Sequence, residues 1–341
     1  MTTTTEQFFD MIMSSSTTGQ DKTERPIVIS IEGNIGTGKS TLLANLKSHL
    51  QTNYPDMAAK ILFLEEPVNV WEKFCDDTGT NILEKFYKDK RRYAFTFQVM
   101  AYITRLALLK NAIRDNPHCE IIIIERSLCA DKNIFMDMLH DDGIVENIEY
   151  NIYNEWYNQF ISEYRMDAVI YLDSTPTVCQ RRIGKRGRDG EESISLDYLK
   201  KCSDYHRKWL VDTKITPGYS LYDESVVYTI KHEEQYYPIL QIHTNAETDY
   251  TKNSAGYKWL ESICLFIKYR STDLTTQMVE DADFELLMNW RRTVSDKTDL
   301  VHKRLREICP HTQCFEESND FGFDGVVYFR QCDRCYTTWK L

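Results

Sequence analysis

A glycine-rich loop near the start of the chain restricts the fold more than any other feature of the sequence. It matches the pattern G-x-x-x-x-G-K-[ST], follows the apolar run Ile27–Ile31 and precedes a stretch of helical character. In such a strand-loop-helix unit, backbone N–H groups surround phosphate oxygens, the lysine adds positive charge and the next hydroxyl ligates Mg²⁺. The motif therefore predicts a site for the phosphates of ATP with Mg²⁺. Its residues are Gly33, Asn34, Ile35, Gly36, Thr37, Gly38, Lys39, Ser40 and Thr41.

Five short apolar runs predict the strands of the fold. Their apolar character is continuous rather than alternating, so each strand is expected to be covered on both faces, as in a parallel sheet between helices. Long segments of helical character separate the runs. The sequence thus predicts an α/β P-loop kinase fold with a five-stranded parallel sheet flanked by helices. The runs are Ile27–Ile31, Ile61–Leu64, Ile121–Ile124, Val169–Leu172 and Ile239–Ile242.

Length and composition divide the chain into four predicted segments. A chain of 341 residues fits one α/β enzyme domain with a small appendage. Residues 1–25 are rich in Thr and Ser and lack the features of a signal or transit peptide, so we expect a disordered tail. We assign residues 26–269 to the enzyme domain, 270–300 to a helical linker and 301–341 to a small module rich in cysteine.

The charge of the chain limits its partners. Its 41 basic and 52 acidic residues give a net charge of −11, which argues against general affinity for nucleic acid or anionic membranes. No apolar run is long enough to cross a bilayer. We therefore expect a soluble, cytoplasmic protein whose anion site is built locally.

Charged residues follow the second and third apolar runs, where open α/β sheets bind ligands. Glu66, in Glu65-Glu66-Pro67, can take a proton from an attacking hydroxyl, and Arg126 can clamp the acceptor oxygen or the transferred phosphoryl group. Glu125 can hold Mg²⁺ through water, together with Ser40. Two alternatives stay open: Glu66 caps the next helix, or Glu125 and Arg126 form an ordinary surface ion pair.

The densest positive cluster of the chain follows the fourth apolar run, between residues 181 and 188. Like charges at this density repel one another unless an anion collects them, and the glycines indicate a segment that closes over a ligand. The alternative is a solvated basic helix face.

Together these motifs resemble those of the deoxynucleoside kinase family, the group of deoxycytidine, deoxyguanosine and mitochondrial thymidine kinases. The resemblance extends from Ile27 to about Ile242. It implies that Glu66 is the general base and that the basic cluster is an arginine-rich lid over the phosphates. The lid arginines implied are Arg182, Arg186 and Arg188.

The resemblance also implies a nucleoside site. Gln98 corresponds to the family glutamine that reads the base edge, and its amide has the donor and acceptor such an edge needs. Tyr87 and Glu191 correspond to residues that share the 3′-hydroxyl of the sugar. The full set implied is Glu66, Trp71, Tyr87, Phe97, Gln98, Arg105, Arg126, Asp131 and Glu191.

The expected base preference depends on Asp131, which lies five residues after Arg126. Deoxycytidine and deoxyguanosine kinases carry an aspartate there, paired with an arginine matched here by Arg105. The resemblance thus favours deoxycytidine or purine deoxynucleosides. A shift of one residue would put Ala130 in the pocket and favour thymidine instead.

Cysteines near the end of the chain predict a structural Zn²⁺ site. Cys332 and Cys335 form a C-x₂-C knuckle, and Cys314 supplies a third thiolate. Either Cys309 or His311 can complete the tetrahedron, and four free thiols are the alternative. Acidic residues between Cys314 and Cys332 argue against DNA binding. We therefore expect this module to bind a protein partner or to support oligomerisation.

The sequence therefore predicts ATP-dependent 5′-phosphorylation of a deoxyribonucleoside, for nucleotide salvage. The family resemblance implies a homodimer. The alternatives are thymidine kinase activity, a thymidylate-type monophosphate kinase and a non-catalytic nucleotide sensor.

Overall fold

The computed structural model describes residues 25–188, 190–215, 218–220, 225–233 and 235–268, and the backbone of strands in 314–320, 326–332 and 338–340. The chain divides into two compact units, Met1–Trp209 and Leu210–Leu341. The predicted enzyme domain, residues 26–269, spans this division.

The first unit contains four parallel strands. They are β1 (Ile27–Gly33), β2 (Ile61–Leu64), β3 (Ile121–Glu125) and β4 (Ala168–Asp173). Their order is β2-β3-β1-β4, with Ile27 and Ile61 both opposite Ile121. Ile29 and Ile123 are 0% exposed, as continuous apolar runs between two helical layers require. The carboxyl ends of β1, β2 and β3 therefore open on one edge of the sheet.

Helices connect these strands. The α-helices of the first unit are α1 (Lys39–Asn53), α2 (Pro55–Ala58), α3 (Val68–Trp71), α4 (Ile82–Lys88), α5 (Lys90–Asp115), α6 (Leu128–Ala130), α7 (Asp137–Asp141), α8 (Asn147–Ile161), α9 (Pro176–Arg186) and α10 (Leu196–Leu210). A π-helical turn, Asp131–Met136, joins α6 to α7, and a 3₁₀ turn, Glu191–Ser193, precedes α10.

Local sequence fixes several helix starts near the open edge of the sheet. The side chain of Asn81 accepts a hydrogen bond from the N–H of Glu84 at 2.9 Å and so begins α4. Asp89 accepts from the N–H of Arg92 at 3.2 Å and begins α5. Short polar side chains at these positions satisfy N–H groups that have no partner within the helix.

The second unit has antiparallel strands, which corrects the prediction of a five-stranded parallel sheet. The run Ile239–Ile242 lies in β7 (Gln235–His243), which pairs antiparallel with β6 (Ser225–His232), and β6 pairs antiparallel with β5 (Tyr219–Ser220). The strands of the chain are thus mixed in direction. Helix α11 (Ala255–Lys268) follows them.

Three further strands of the second unit form a separate antiparallel sheet. They are β8 (Cys314–Asp320), β9 (Val326–Cys332) and β10 (Thr338–Lys340), in the order β10-β9-β8. The backbone register sets Cys314 opposite Cys332. Cys309, His311 and Cys335 lie outside the described residues, as do residues 1–24 of the predicted tail and the predicted linker 270–300.

None of the helices in the described ranges is long and apolar enough to cross a membrane.

Candidate active site

A cavity of about 730 Å³ opens at the carboxyl ends of β1, β2 and β3 in the first unit. Ligands of open α/β sheets bind at this edge. Most of the predicted site residues line it: Ile35, Gly36, Lys39, Ser40, Glu66, Trp71, Tyr87, Phe97, Gln98, Arg105, Glu125, Arg126, Asp131, Arg186, Arg188 and Glu191. Gly33, Asn34, Thr37, Gly38, Thr41 and Arg182 are not part of its lining.

The glycine-rich loop depends on two residues without a side chain. Gly36 has φ 81°, and a Cβ there would lie 2.7 Å from the carbonyl oxygen of Cys179. A Cβ on Gly33, φ 146°, would lie 2.6 Å from the carbonyl oxygen of Leu172. A side chain at either position would clash with these carbonyl oxygens, so only glycine fits there.

Polar side chains hold the loop from outside the cavity. Asn34 donates to the carbonyl oxygen of Leu199 at 2.7 Å and to Ser203 Oγ at 2.8 Å. Arg182 donates from Nη1 to the carbonyl oxygen of Thr37 at 3.1 Å. Arg182 therefore supports the loop, whereas Arg186 and Arg188 line the cavity.

Lys39 lies inside the loop and is 5% exposed. Its Nζ donates to the carbonyl oxygens of Gly33 at 3.2 Å and Asn34 at 3.0 Å. Burial lowers the pKa of Lys39 to about 8, and the charge of Arg126 adds to this effect. The carboxylates of Glu125, Glu66 and Glu32 oppose this effect, and a phosphate group in the loop would oppose it further.

Ser40 and Glu125 supply the donor set expected for Mg²⁺. The hydroxyl of Ser40 donates to Glu125 Oε1 at 2.9 Å, and Glu125 is 4% exposed. A hydroxyl and a carboxylate beside the glycine-rich loop are hard oxygen ligands of the kind that Mg²⁺ binds. The pair therefore fits this ion.

Glu66 is held by two arginines. Its Oε1 accepts from Arg105 Nη2 at 3.1 Å and lies 3.4 Å from Arg126 Nε. Burial acts to raise the pKa of Glu66, but Arg126 and Arg105 outweigh it and leave the pKa below the ordinary value. The helix that follows begins at Val68, and the residue at its cap position is Pro67 and not Glu66.

Arg126 has an unusual backbone. Its φ is 63°, a left-handed conformation that costs free energy for a residue with a side chain. Its guanidinium carbon lies 4.9 Å from the ring of Phe135, and the residue is 3% exposed. Because Glu125 and Arg126 are both buried, they are not the surface ion pair that the sequence left open.

Arg105 forms the centre of a buried ion network. It is 1% exposed and donates to Asp131 from Nε at 2.9 Å and from Nη2 at 3.2 Å. Although burial acts to lower the pKa of Arg105, the carboxylates of Asp131 and Glu66 raise it above its ordinary range. The network joins the strand exit that carries Glu66 to the π-helical turn that carries Asp131.

Aromatic side chains form another part of the cavity lining, and the ring of Trp71 lies 5.8 Å from the guanidinium carbon of Arg105. The rings of Phe97 and Phe86 stack with centroids 4.7 Å apart, and Trp71 meets Phe97 edge-on at 5.5 Å. Trp71 Nε1 donates to Thr104 Oγ1 at 2.8 Å, which fixes the indole ring. Gln98 is 2% exposed and also lines the cavity. Aromatic rings and one amide in the same cavity suit a planar heterocycle.

The basic segment faces a carboxylate within the cavity. Arg186 donates from Nε to Glu191 Oε2 at 3.1 Å, and Arg188 from Nη1 to Glu191 Oε1 at 3.3 Å. Glu191 is 4% exposed. Burial raises the pKa of the nearby Tyr87 hydroxyl, and the charge of Glu191 adds to the effect. The side chains of Arg186 and Arg188 are 36% and 34% exposed, but both pair with this buried carboxylate, which a wholly solvated basic face would not do.

The sequence reasoning missed Glu32, Ser127 and Phe135. Glu32 accepts hydrogen bonds from Ser127, and Phe135 lines the cavity one π-helical turn after Asp131. A carboxylate directly after the apolar run of β1 was a usable signal for Glu32, whereas the π-helical turn that brings Phe135 to the cavity left none.

The comparisons with known proteins point to one family. The sequence profile described as "Deoxynucleoside kinase" matches residues 29–249. A probable deoxycytidine kinase of Fowlpox virus (strain NVSL) is 40% identical over 185 residues, which cover 53% of this chain and 71% of the relative.

Two vertebrate enzymes match over longer segments. The deoxycytidine kinase of Homo sapiens is 31% identical over 220 residues, 61% of this chain and 84% of the relative. A mitochondrial deoxyguanosine kinase of Xenopus laevis is 30% identical over 247 residues, 67% of this chain and 84% of the relative.

Proposed function

Because this chain belongs to the deoxynucleoside kinase family, we propose that it transfers the γ-phosphate of ATP to the 5′-hydroxyl of a deoxyribonucleoside, with deoxycytidine or a purine deoxynucleoside preferred. The observation that carries this function is the position of Glu66. Its carboxylate lies within 3.4 Å of two arginines, in the same cavity as the phosphate loop.

Each polar group has one role in this reaction. Glu66 accepts the proton of the 5′-hydroxyl, and Arg126 orients that oxygen toward the phosphoryl group. Arg126 Nη1 is buried and has no hydrogen-bond partner within the described part of the chain, so a ligand oxygen can take it. Lys39 and the lid arginines Arg186 and Arg188 balance the charge of the phosphates. Bound Mg²⁺, held by Ser40 and Glu125, supplies further neutralisation of that charge.

The preference for deoxycytidine or a purine rests on Asp131. Asp131 lines the cavity and is paired with Arg105, whereas Ala130 is 0% exposed and does not line it. The related enzymes named above are deoxycytidine and deoxyguanosine kinases. An ionised pair beside the base offers hydrogen bonds to an amino or carbonyl substituent, whereas a methyl group can accept none of them.

A coupled assay of ATP consumption across the four deoxynucleosides and their monophosphates tests this function. We expect turnover with deoxycytidine or a purine deoxynucleoside and none with monophosphates, because an acceptor phosphate would meet the carboxylates of Glu65 and Glu66. Turnover with monophosphates alone, or no ATP-dependent turnover, contradicts the proposal.

The buried ammonium of Lys39 leads to a prediction about protons. At pH 8 about half of the Lys39 side chains are neutral, since the pKa is about 8. The phosphates of ATP raise this pKa, so ATP binding at pH 8 is expected to take up a fraction of a proton. Titration calorimetry in two buffers of different ionisation enthalpy measures that uptake. In Lys39→Met the uptake is expected to vanish, and equal uptake by both proteins contradicts the assignment.

We also propose that the protein is a homodimer that pairs through α8. Ile148, Ile152 and Trp156 are 66%, 48% and 42% exposed and follow one another at intervals of four residues, so they form one apolar stripe. The backbone oxygen of Trp156 accepts from Tyr102 on α5, which ties the stripe to that helix.

Breaking the stripe is expected to give monomers. In Trp156→Glu a charge enters the apolar contact, so light scattering coupled to gel filtration is expected to show one chain where the wild type shows two. Phe74→Glu is the matched control, since Phe74 is 52% exposed but lies outside the stripe. A wild type that is already monomeric, or a variant that stays dimeric, contradicts this interface.

The zinc site stays a proposal for the cysteine-rich module. The spacing of the cysteines supports it, as does the backbone register of Cys314 with Cys332. Among the described residues no cluster of three or more metal-binding side chains occurs, and the remaining candidate ligands lie outside that part of the chain. Elemental analysis of the full chain is expected to find one zinc per chain, and its absence contradicts the proposal.

A further inference from the structure

Glu32 is a buried carboxyl group to which the proposed reaction assigns no role. It is the sixth residue of β1, directly before the phosphate loop, and is 0% exposed. Such a group costs stability unless it is bonded, so its contacts indicate what keeps it there.

Both contacts of Glu32 go to one residue at the end of β3. Oε1 accepts from the backbone N–H of Ser127 at 2.8 Å and from Ser127 Oγ at 2.7 Å. Ser127 Oγ in turn accepts from the N–H of Ala130 at 3.2 Å and begins α6. Oε2 is buried without a hydrogen-bond partner among the described residues. One carboxyl oxygen thus fastens the start of the helical segment that leads to Asp131.

Ser127 directly follows the strained residue of the site. Arg126 has φ 63°, and its N–H donates to the carbonyl oxygen of Ile31 at 3.1 Å. A left-handed conformation of this kind persists only where the surroundings hold it on both sides. The strand bond holds the N–H side of Arg126, and the bonds of Ser127 to Glu32 hold the other side.

We propose that Glu32 is a positioning residue for phosphoryl transfer: by fixing Ser127 it keeps Arg126 in the left-handed conformation that aims its guanidinium group at Glu66. The same turn keeps the carboxylate of Glu125, which precedes Arg126, against the hydroxyl of Ser40. The catalytic consequence rests on the proposed kinase activity, whereas the geometric consequence does not.

The charge state of Glu32 suggests which variants separate geometry from charge. Burial raises the pKa of Glu32, which favours the neutral carboxyl group. Glutamine has nearly the shape of that group and can still accept both hydrogen bonds of Ser127 through its amide oxygen. Leucine has a similar volume but accepts none.

The test compares Glu32→Leu with Glu32→Gln in steady-state kinetics, with unfolding monitored by circular dichroism. In Glu32→Leu, kcat is expected to fall about 10- to 100-fold while the KM of the nucleoside stays within about threefold, since small displacements of catalytic groups affect mainly the chemical step. Glu32→Gln is expected to restore kcat to within about threefold of the wild type.

Ser30→Ala is the matched control on β1. Ser30 is also 0% exposed and lies two residues before Glu32 on the same face of the strand, where its Oγ contacts the sulfur of Met166 at 3.5 Å. A variant that changes only the packing of β1 behaves like this control. We expect Ser30→Ala to retain the wild-type kcat.

Ser127→Ala provides a second route if Glu32→Leu does not fold. It removes the contact of the hydroxyl with Glu32 and its cap on the N–H of Ala130 but keeps the N–H contact of Ser127 with Glu32, so kcat is expected to fall about 3- to 10-fold. A kcat unchanged in every folded variant of these two positions overturns the proposal.

A crystal structure of a folded variant tests the positioning role of Glu32 even if the wild type phosphorylates no nucleoside. Arg126 displaced from Glu66, with a changed φ, supports the positioning role. Arg126 at the wild-type φ and distance overturns it. An inactive wild type refutes the proposed function alone.

Discussion

Replacing Glu66 with glutamine is expected to lower kcat about 10²- to 10⁴-fold, because removal of a general base typically costs that much. Glutamine keeps the shape and still accepts the hydrogen bond that Arg105 donates at 3.1 Å. The nucleoside site is therefore preserved, and the KM of the nucleoside is expected to change little. Steady-state kinetics with the preferred nucleoside measure both parameters.

An exposed carboxylate outside the cavity lining supplies the control for this prediction. Glu120→Gln removes one negative charge where the side chain is 53% exposed and pairs with Lys60, and is expected to leave kcat within about twofold. The two arginines keep the pKa of Glu66 below its ordinary value, so the carboxylate is ready to accept a proton at neutral pH. As the pH is lowered, kcat/KM of the wild type is thus expected to fall to half its maximum only below the ordinary pKa of glutamate. Near-normal turnover in Glu66→Gln would refute the assignment.

Replacing Arg105 with leucine is expected to lower the free energy of unfolding by about 3–5 kcal/mol, the usual cost of removing one partner from a buried ion pair. Arg105 is 1% exposed and contacts the side chains of Asp131 and Glu66. Its loss leaves Asp131 without its paired guanidinium group and Glu66 with Arg126 alone. Urea unfolding at pH 7 measures the difference.

The pH dependence of this loss tests its cause. In the wild type burial already raises the pKa of Asp131 and Arg105 opposes that rise, so in Arg105→Leu the pKa of Asp131 rises further. A group whose pKa is raised in the folded state stabilises that state as the pH falls. The deficit is therefore expected to shrink between pH 7 and pH 5.

Arg114→Leu is the matched control on the same helix. Arg114 is 55% exposed and pairs with the exposed Asp115, so its loss is expected to leave the unfolding free energy nearly unchanged. An equal effect of both substitutions, or a deficit independent of pH, contradicts the buried network as the cause.

The parts of the fold that could be predicted are those encoded locally. The phosphate loop is one contiguous motif, and strands β1 to β4 are continuous apolar runs, so both could be located before any contact was known. The antiparallel hairpin could not. Strand β6 mixes Ser225, Thr229 and Lys231 with apolar residues, and its pairing depends on β7 rather than on its own pattern.

The contacts between distant segments limited the prediction of the site. Arg182 and Arg186 lie four residues apart on one helix, and nothing in their spacing indicates that they have different partners. In the structure Arg182 donates a hydrogen bond to the carbonyl oxygen of Thr37 in the glycine-rich loop, whereas Arg186 donates one to Glu191. A helix face can be deduced from spacing, but the oxygen that each guanidinium group meets depends on the tertiary fold.

The π-helical turn Asp131–Met136 is a place where a change in the length of the sequence is expected to cost little folding free energy. A π-helical ring contains one residue more than an α-helical ring, so deletion of a single residue here is absorbed by a return to α-helical bonding. Helices α6 and α7 then keep their axes, and Asp131, which begins the turn, keeps its pairing with Arg105. Phe135 moves to another face. Single-residue insertions and deletions in this turn thus offer descendants of the chain a route to reshape the acceptor pocket without rebuilding the sheet.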